Sequence, residues 1–155
     1  MDIDEDGRIP DNGQRFGPWV EKIPGENPAH LPGHNFTGPG TFARKRIAMG
    51  IKPTNAVDEA SMHHDLDYGA IQKEINTRPP RITKSDAAKL VARADAKLLE
   101  RCKNLIGTPL EPNDGSAQMV MSAMMAKLFS DKNGWTDPLQ FIKIKDSSRP
   151  VKVKK

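Results

Sequence analysis

A single cysteine, Cys102, stands among 155 residues. No intrachain disulfide can form, so packing has to hold the fold together, and the chain suits a reducing compartment or one indifferent to redox. Aromatic residues make up only 5%, which leaves the core to aliphatic and methionine side chains and turns the expectation from a β-sandwich toward helices. No apolar run approaches the roughly 20 residues that a membrane-spanning helix requires. The first ten residues, MDIDEDGRIP, are acidic where a secretory signal would be basic and then apolar, so no signal is readable, and the sequon Asn35-Phe36-Thr37 carries little weight. Neither charge dominates. Twenty-four basic against twenty acidic side chains give +4, which suits an anionic surface such as lipid headgroups or nucleic acid and is too small an excess to choose between them. A small nucleic-acid-binding protein is a further reading, against which the scattered charge argues.

What is present falls into three stretches: 1–30, rich in Pro, Gly, Asn and charge and expected to be extended; 31–132, which holds the periodic segments; and 133–155, a basic tail. Asn55 is placed to cap a first helix that fades near Asn76, with Asp58 and Glu59 in its first turn favourable to the helix dipole. Thr83 or Ser85 starts a second, and a third runs from Ser116 to about Lys132. After Gly134 the alternating FIKIK predicts a short strand or a disordered end.

The first helix carries Val57, Ser61, His64, Tyr68, Ile71 and Ile75 three and four residues apart, a core-facing stripe with a histidine and a tyrosine at its centre. On the second helix the stripe Ala88, Val91, Asp95, Leu98, Cys102 and Leu105 has a carboxylate where an aliphatic residue belongs. A lone buried carboxylate is costly unless paired. The short NTRPPRI connection makes the two helices antiparallel neighbours, which predicts a His64 to Asp95 pair with Tyr68 donating to the same carboxylate. A histidine held by a buried aspartate suits general base catalysis; the plainer reading is a satisfied core histidine. Two further features favour chemistry. Asp65 follows His64 off the stripe, and the loop NFTGPGT precedes the helix, with glycines that let backbone carbonyls converge as Ca2+ prefers.

The sequence G-P-G, then PTNAVDEASMHHDLDY with its His-Asp-x-x-Tyr, then RADAKLL, then MMAKL, resembles the phospholipase A2 domain at the N-terminal end of parvoviral minor capsid proteins, over roughly Leu31 to Leu128. The resemblance implies a mainly α fold: two antiparallel catalytic helices preceded by a glycine-rich calcium loop, plus a third, Met-rich helix. It implies a Ca2+-dependent hydrolase of the sn-2 ester of glycerophospholipids, with His64 as general base, Asp95 orienting it and Tyr68 supporting Asp95. The Ca2+ ligands implied are the Asp65 carboxylate and the carbonyls of Phe36, Gly38 and Gly40. Phe36 departs from the Tyr common in that loop, and His63 stands where the viral family commonly has Glu; only His64 lies on the stripe. Asp86 is the rival partner for His64, yet it sits in the opening turn of its helix, where capping accounts for it. The family further implies a phospholipid membrane surface as substrate, a place inside a virion until release, and action on a host endosomal membrane.

The rival reading is a catalytically inactive module that binds membrane or capsid partners. Several other features have two readings. Met119, Met121, Met124 and Met125 read as core or as a soft surface for lipid. Trp19, Phe42, Met49 and Ile51 read as a collar around the site or as anchors for the glycine loop. ARKRIAMGIK reads as a headgroup-facing segment or a solvated loop, and RPVKVKK as a nuclear-localisation patch or, more simply, a solubilising disordered end. His30 and His34 lack cysteine partners, so a zinc site is not expected.

Overall fold

The computed structural model describes residues 15–26, 29–38, 41 and 43–145. Among these residues the chain forms four helices and no strand: α1 (Ala43–Ala48), α2 (Ala56–Asn76), α3 (Lys84–Leu105) and α4 (Ser116–Lys132). The mainly α expectation holds, and the short α1 is an addition to it. No helix among the described residues is long and apolar enough to cross a membrane.

The ends of the helices follow their capping chemistry. Asn55 caps α2, its side chain accepting the Asp58 N–H at 2.9 Å. Thr83 and Asp86 form a reciprocal capping box at the start of α3, with the Thr83 hydroxyl accepting from the Asp86 N–H at 3.0 Å. Gly115, at φ 75°, turns the chain into α4. The Asp114 carboxylate there accepts the Ser116 N–H at 2.9 Å, a negative charge where the helix dipole favours one.

Two apolar clusters define the packing. The first joins Val57 and Ala60 of α2 to Leu98 and Cys102 of α3 and to Ala117 and Val120 of α4. The second joins Ile71 and Ile75 of α2 to Ala87 and Val91 of α3 and to Leu139 and Ile142. Early α2 thus meets late α3 and late α2 meets early α3, so the two helices run antiparallel, as the short connection predicted. Each fully buried Val, Leu or Ile side chain contributes about 1.5–3 kcal/mol, and the alanines less. Between the clusters the α2/α3 interface turns polar.

The segment after α4 is not a strand. It crosses α2 as a strap, and its backbone is tied by side-chain amides rather than by another strand. The Lys143 N–H donates to Gln72 Oε1 at 2.8 Å, the Asn76 amide donates to the Lys143 carbonyl at 2.7 Å, and the Lys145 N–H donates to Asn76 Oδ1 at 2.7 Å.

The methionines divide. Met121 and Met124 pack against the first cluster, while Met119 and Met125 are exposed. Within ARKRIAMGIK, Arg46 is completely buried, its guanidinium donating to the Glu26 carboxylate at 2.7–3.1 Å and to the Val20 carbonyl at 2.8 Å. That arginine anchors the segment before the glycine loop and is not free for headgroups. Most of 1–30, the basic tail from 146 onward, Phe42 and Gly40 lie outside the described residues.

Candidate active site

The polar centre of the α2/α3 interface is built on Asp95, which is wholly buried. His64 Nε2 lies 2.7 Å from Asp95 Oδ1, and the Tyr68 hydroxyl donates to the same oxygen at 2.5 Å. Burial alone would raise the Asp95 pKa, but the bonds from His64, Lys127 and Tyr68 outweigh it and hold the carboxyl below its ordinary range. An ionised carboxylate only accepts, so His64 Nε2 carries the proton and Nδ1 is left as the basic nitrogen. Tyr68 lies one turn from His64, their ring centroids 4.3 Å apart. Burial and the adjacent Asp95 push its hydroxyl pKa far up, so it stays a donor. Asp86 is exposed and engaged in its capping box.

Asp65 is placed on the other side of His64, its Oδ1 4.0 Å from Nδ1. Its Oδ2 is buried with no hydrogen-bond partner. Burial, with the charge of Asp58 nearby, pushes this carboxyl well above the usual carboxylate range. His63 is half-buried, and it is His64 that pairs with Asp95.

The loop before α2 is held by Asp58, which is fully buried. Its two oxygens accept the Asn35 N–H at 2.8 Å, the Phe36 N–H at 2.7 Å, the Thr37 hydroxyl at 3.0 Å and the Thr54 N–H at 2.9 Å. A carboxylate expected to favour the helix dipole is instead the post to which the glycine loop is tied. His34, also buried, lies between Thr37 Oγ1 at 2.9 Å and Asp114 Oδ2 at 2.7 Å. Gly38 adopts φ 126°, and a Cβ there would stand 2.5 Å from His30 Cα and 2.6 Å from the Ala29 carbonyl oxygen. Only glycine fits.

Phe36, Gly38, His64, Asp65 and Tyr68 line one cavity of about 930 Å³, the upper end of the range for small-molecule clefts. Leu31, Leu66, Leu98, Val120 and Met124 make its wall largely aliphatic, and Met119 and Phe141, both more than half exposed, border it. Trp19, Met49 and Ile51 do not line it; the apolar border comes from α4 and the strap instead.

A family model described as phospholipase A2-like domain matches residues 27–110, more than half of the chain. The chain belongs to this family. Searches of curated proteins and of solved structures gave no match.

The residues of this phospholipase A2-like domain fit an oxygen-ligated divalent cation. Asp65 Oδ2 is buried and short of a partner, and the surroundings of the carboxyl oppose its charge. The backbone of the loop it faces is fixed by Asp58 and by the close approach at Gly38. Among the described residues no three His, Cys, Asp or Glu side chains converge on one point, and a set made of backbone carbonyls with one carboxylate does not need them.

Several residues of the domain's site escaped the sequence reading. Lys127 donates to Asp95 Oδ2 at 2.7 Å and to Asp131 Oδ2 at 2.8 Å. Its one signal was position: Lys127 and Asp131 continue the stripe of Val120 and Met124 along the inward face of α4. His34 and Asp114 lie 80 residues apart in the sequence, and no local pattern links them.

Proposed function

We propose that the chain is a Ca2+-dependent phospholipase A2 that hydrolyses the sn-2 ester of glycerophospholipids. The observation that carries this reading is a histidine fixed by a buried aspartate, beside a buried carboxyl oxygen without a partner, in a cavity with an aliphatic wall.

His64 Nδ1 takes a proton from water as the water oxygen attacks the ester carbonyl, and Asp95 stabilises the imidazolium through the Nε2–H. The proton then passes to the departing alkoxide of the lysophospholipid. No covalent bond to the protein forms. Phe36, Gly38 and Asp65, together with Gly40, would hold Ca2+, and the ion would supply Lewis-acid polarisation of an ester carbonyl and charge to offset the oxyanion. The aliphatic wall takes the acyl chain and excludes water from it.

The parvoviral-type resemblance extends the proposal to a domain carried inside a virion and released to breach a host endosomal membrane. The capsid is then its other partner.

The test is release of fatty acid from phosphatidylcholine vesicles, with Ca2+ and then with excess chelator, for wild type and His64→Ala. Calcium-dependent release that His64→Ala abolishes at unchanged helix content supports the reading. Absence of release from folded wild type would sink it and leave a module that binds membrane or capsid.

A further inference from the structure

The carboxylate of Asp95 has two oxygens, and they are not used alike. Oδ1 takes both His64 and Tyr68, from α2, while Oδ2 takes the Lys127 ammonium, from α4. Lys127 lies in α4, outside the matched residues 27–110. Its side chain is 9% exposed and bridges Asp95 and Asp131, and it also lines the cavity. Burying a flexible, strongly hydrated ammonium is costly, and a lysine on a helix surface ordinarily keeps its charge in water. This one is held in by two carboxylates.

The geometry assigns to Lys127 the role of a positioning residue: it locks the Asp95 carboxylate so that Oδ1 alone faces His64 and Tyr68. A carboxylate rotates about its Cβ–Cγ bond through a broad, roughly two-fold torsional well. Two donors on one oxygen leave the other free to swing toward any competing donor, and His64 would then lose its orientation. With Lys127 on Oδ2, Asp95 is pinned from α2 and from α4 at once. Asp131, one turn along α4 from Lys127, fixes the ammonium in turn. Because α4 also supplies Met119 and Met124 to the cavity, one helix both walls the cavity and holds the carboxylate that orients the base. In this role Lys127 acts through Asp95 rather than on the attacking water or the ester.

This inference rests on the phospholipase reading for its kinetic consequence, and it has a second readout that does not need turnover. Lys127→Met keeps the aliphatic stem and removes the cation. With helix content unchanged, kcat on phosphatidylcholine vesicles should fall about 10–100-fold, the usual loss for a partner that orients a site residue, with KM within about twofold. Lys127→Arg, which restores a cation, should recover most of the loss. In the proton NMR spectrum, the low-field His64 Nε2–H resonance, identified by its disappearance in His64→Gln, should broaden or vanish in Lys127→Met and return in Lys127→Arg. If Lys127→Met does not fold, Lys127→Gln is read in its place. A kcat within twofold of wild type overturns the inference, as does a change confined to KM. If wild type hydrolyses nothing, the phospholipase reading falls, and the imidazole resonance decides the fate of Lys127 alone: unchanged in Lys127→Met, it overturns the role.

Discussion

His34 and Asp114 join across 2.7 Å, tying the glycine loop to the start of α4. His34 also reaches Thr37, which donates in turn to Asp58, so one chain of hydrogen bonds, buried except at its Asp114 end, runs from the α4 N-terminus through the loop to the first turn of α2. The loop that precedes the site is therefore fixed from both ends of the helical layer before any ligand arrives.

Gly38→Ala should destabilise the fold by about 2 kcal/mol or more, because the left-handed φ and the contact with His30 and Ala29 penalise a Cβ independently. Thermal unfolding measures the loss. A midpoint equal to wild type would show that residues 29–30 yield without cost.

Asp65→Asn should remove Ca2+-dependent stabilisation. Ligand binding to the folded state raises the midpoint by mass action, so Ca2+ should raise it for wild type and leave Asp65→Asn unmoved. In chelator the variant should be at least as stable as wild type, since a neutral amide avoids the burial that opposes the charge of Asp65. Equal Ca2+ affinity of the two proteins by calorimetry would refute a role for this carboxylate in holding the ion.

Stability in chelator should peak in mildly acidic solution. Asp58, Asp95 and Asp114 lie below the ordinary value of 3.8, Asp114 at about 2, because hydrogen bonds to each outweigh the opposing effect of burial. What they contribute is present above 3.8 and is lost as the pH falls through their lower folded values. His34 lies above its ordinary 6.5: burial lowers it, but the bonds to Asp58 and Asp114 prevail. Its contribution is complete below 6.5 and is lost as the pH rises through the folded value. Asp65, raised by burial, also favours the acid side. Thermal midpoints from about pH 3 to about pH 9 should be highest between about 4 and 6.5, and His34→Gln should flatten the alkaline limb. A midpoint still climbing beyond neutrality would contradict this balance.

Where a polar residue interrupts an apolar helical stripe, the sequence is informative. His64, Tyr68 and Asp95 were legible because the period put them inside and the cost of an unpaired buried group demanded a partner. The bounds of α2 and α3 were legible through Asn55 and Thr83, whose side chains can reach the first free N–H groups. Lys127 was not, since a long aliphatic stem with a charged end reads as a side chain bound for solvent, and only the third helix's packing turns it inward. Asp58 was hidden by an adequate local role at the helix start. The FIKIK alternation suggested a strand, but its backbone finds Gln72 and Asn76 rather than a neighbouring strand. Arg46 sits in a run of charge whose other members are exposed, and only the fold brings Glu26 to it.

The two apolar clusters on either side of Asp95 are built largely from small and aliphatic side chains, which would tolerate α3 slipping by a turn along α2. Asp95 would not. A shift of about 5.4 Å would carry its carboxylate away from His64, Tyr68 and Lys127 together and leave a charge buried without a partner. The polar seam thus serves the folding chain as an alignment key: it makes one register of the three helices far lower in energy than its neighbours, so the groups proposed to carry the chemistry also choose how the scaffold assembles.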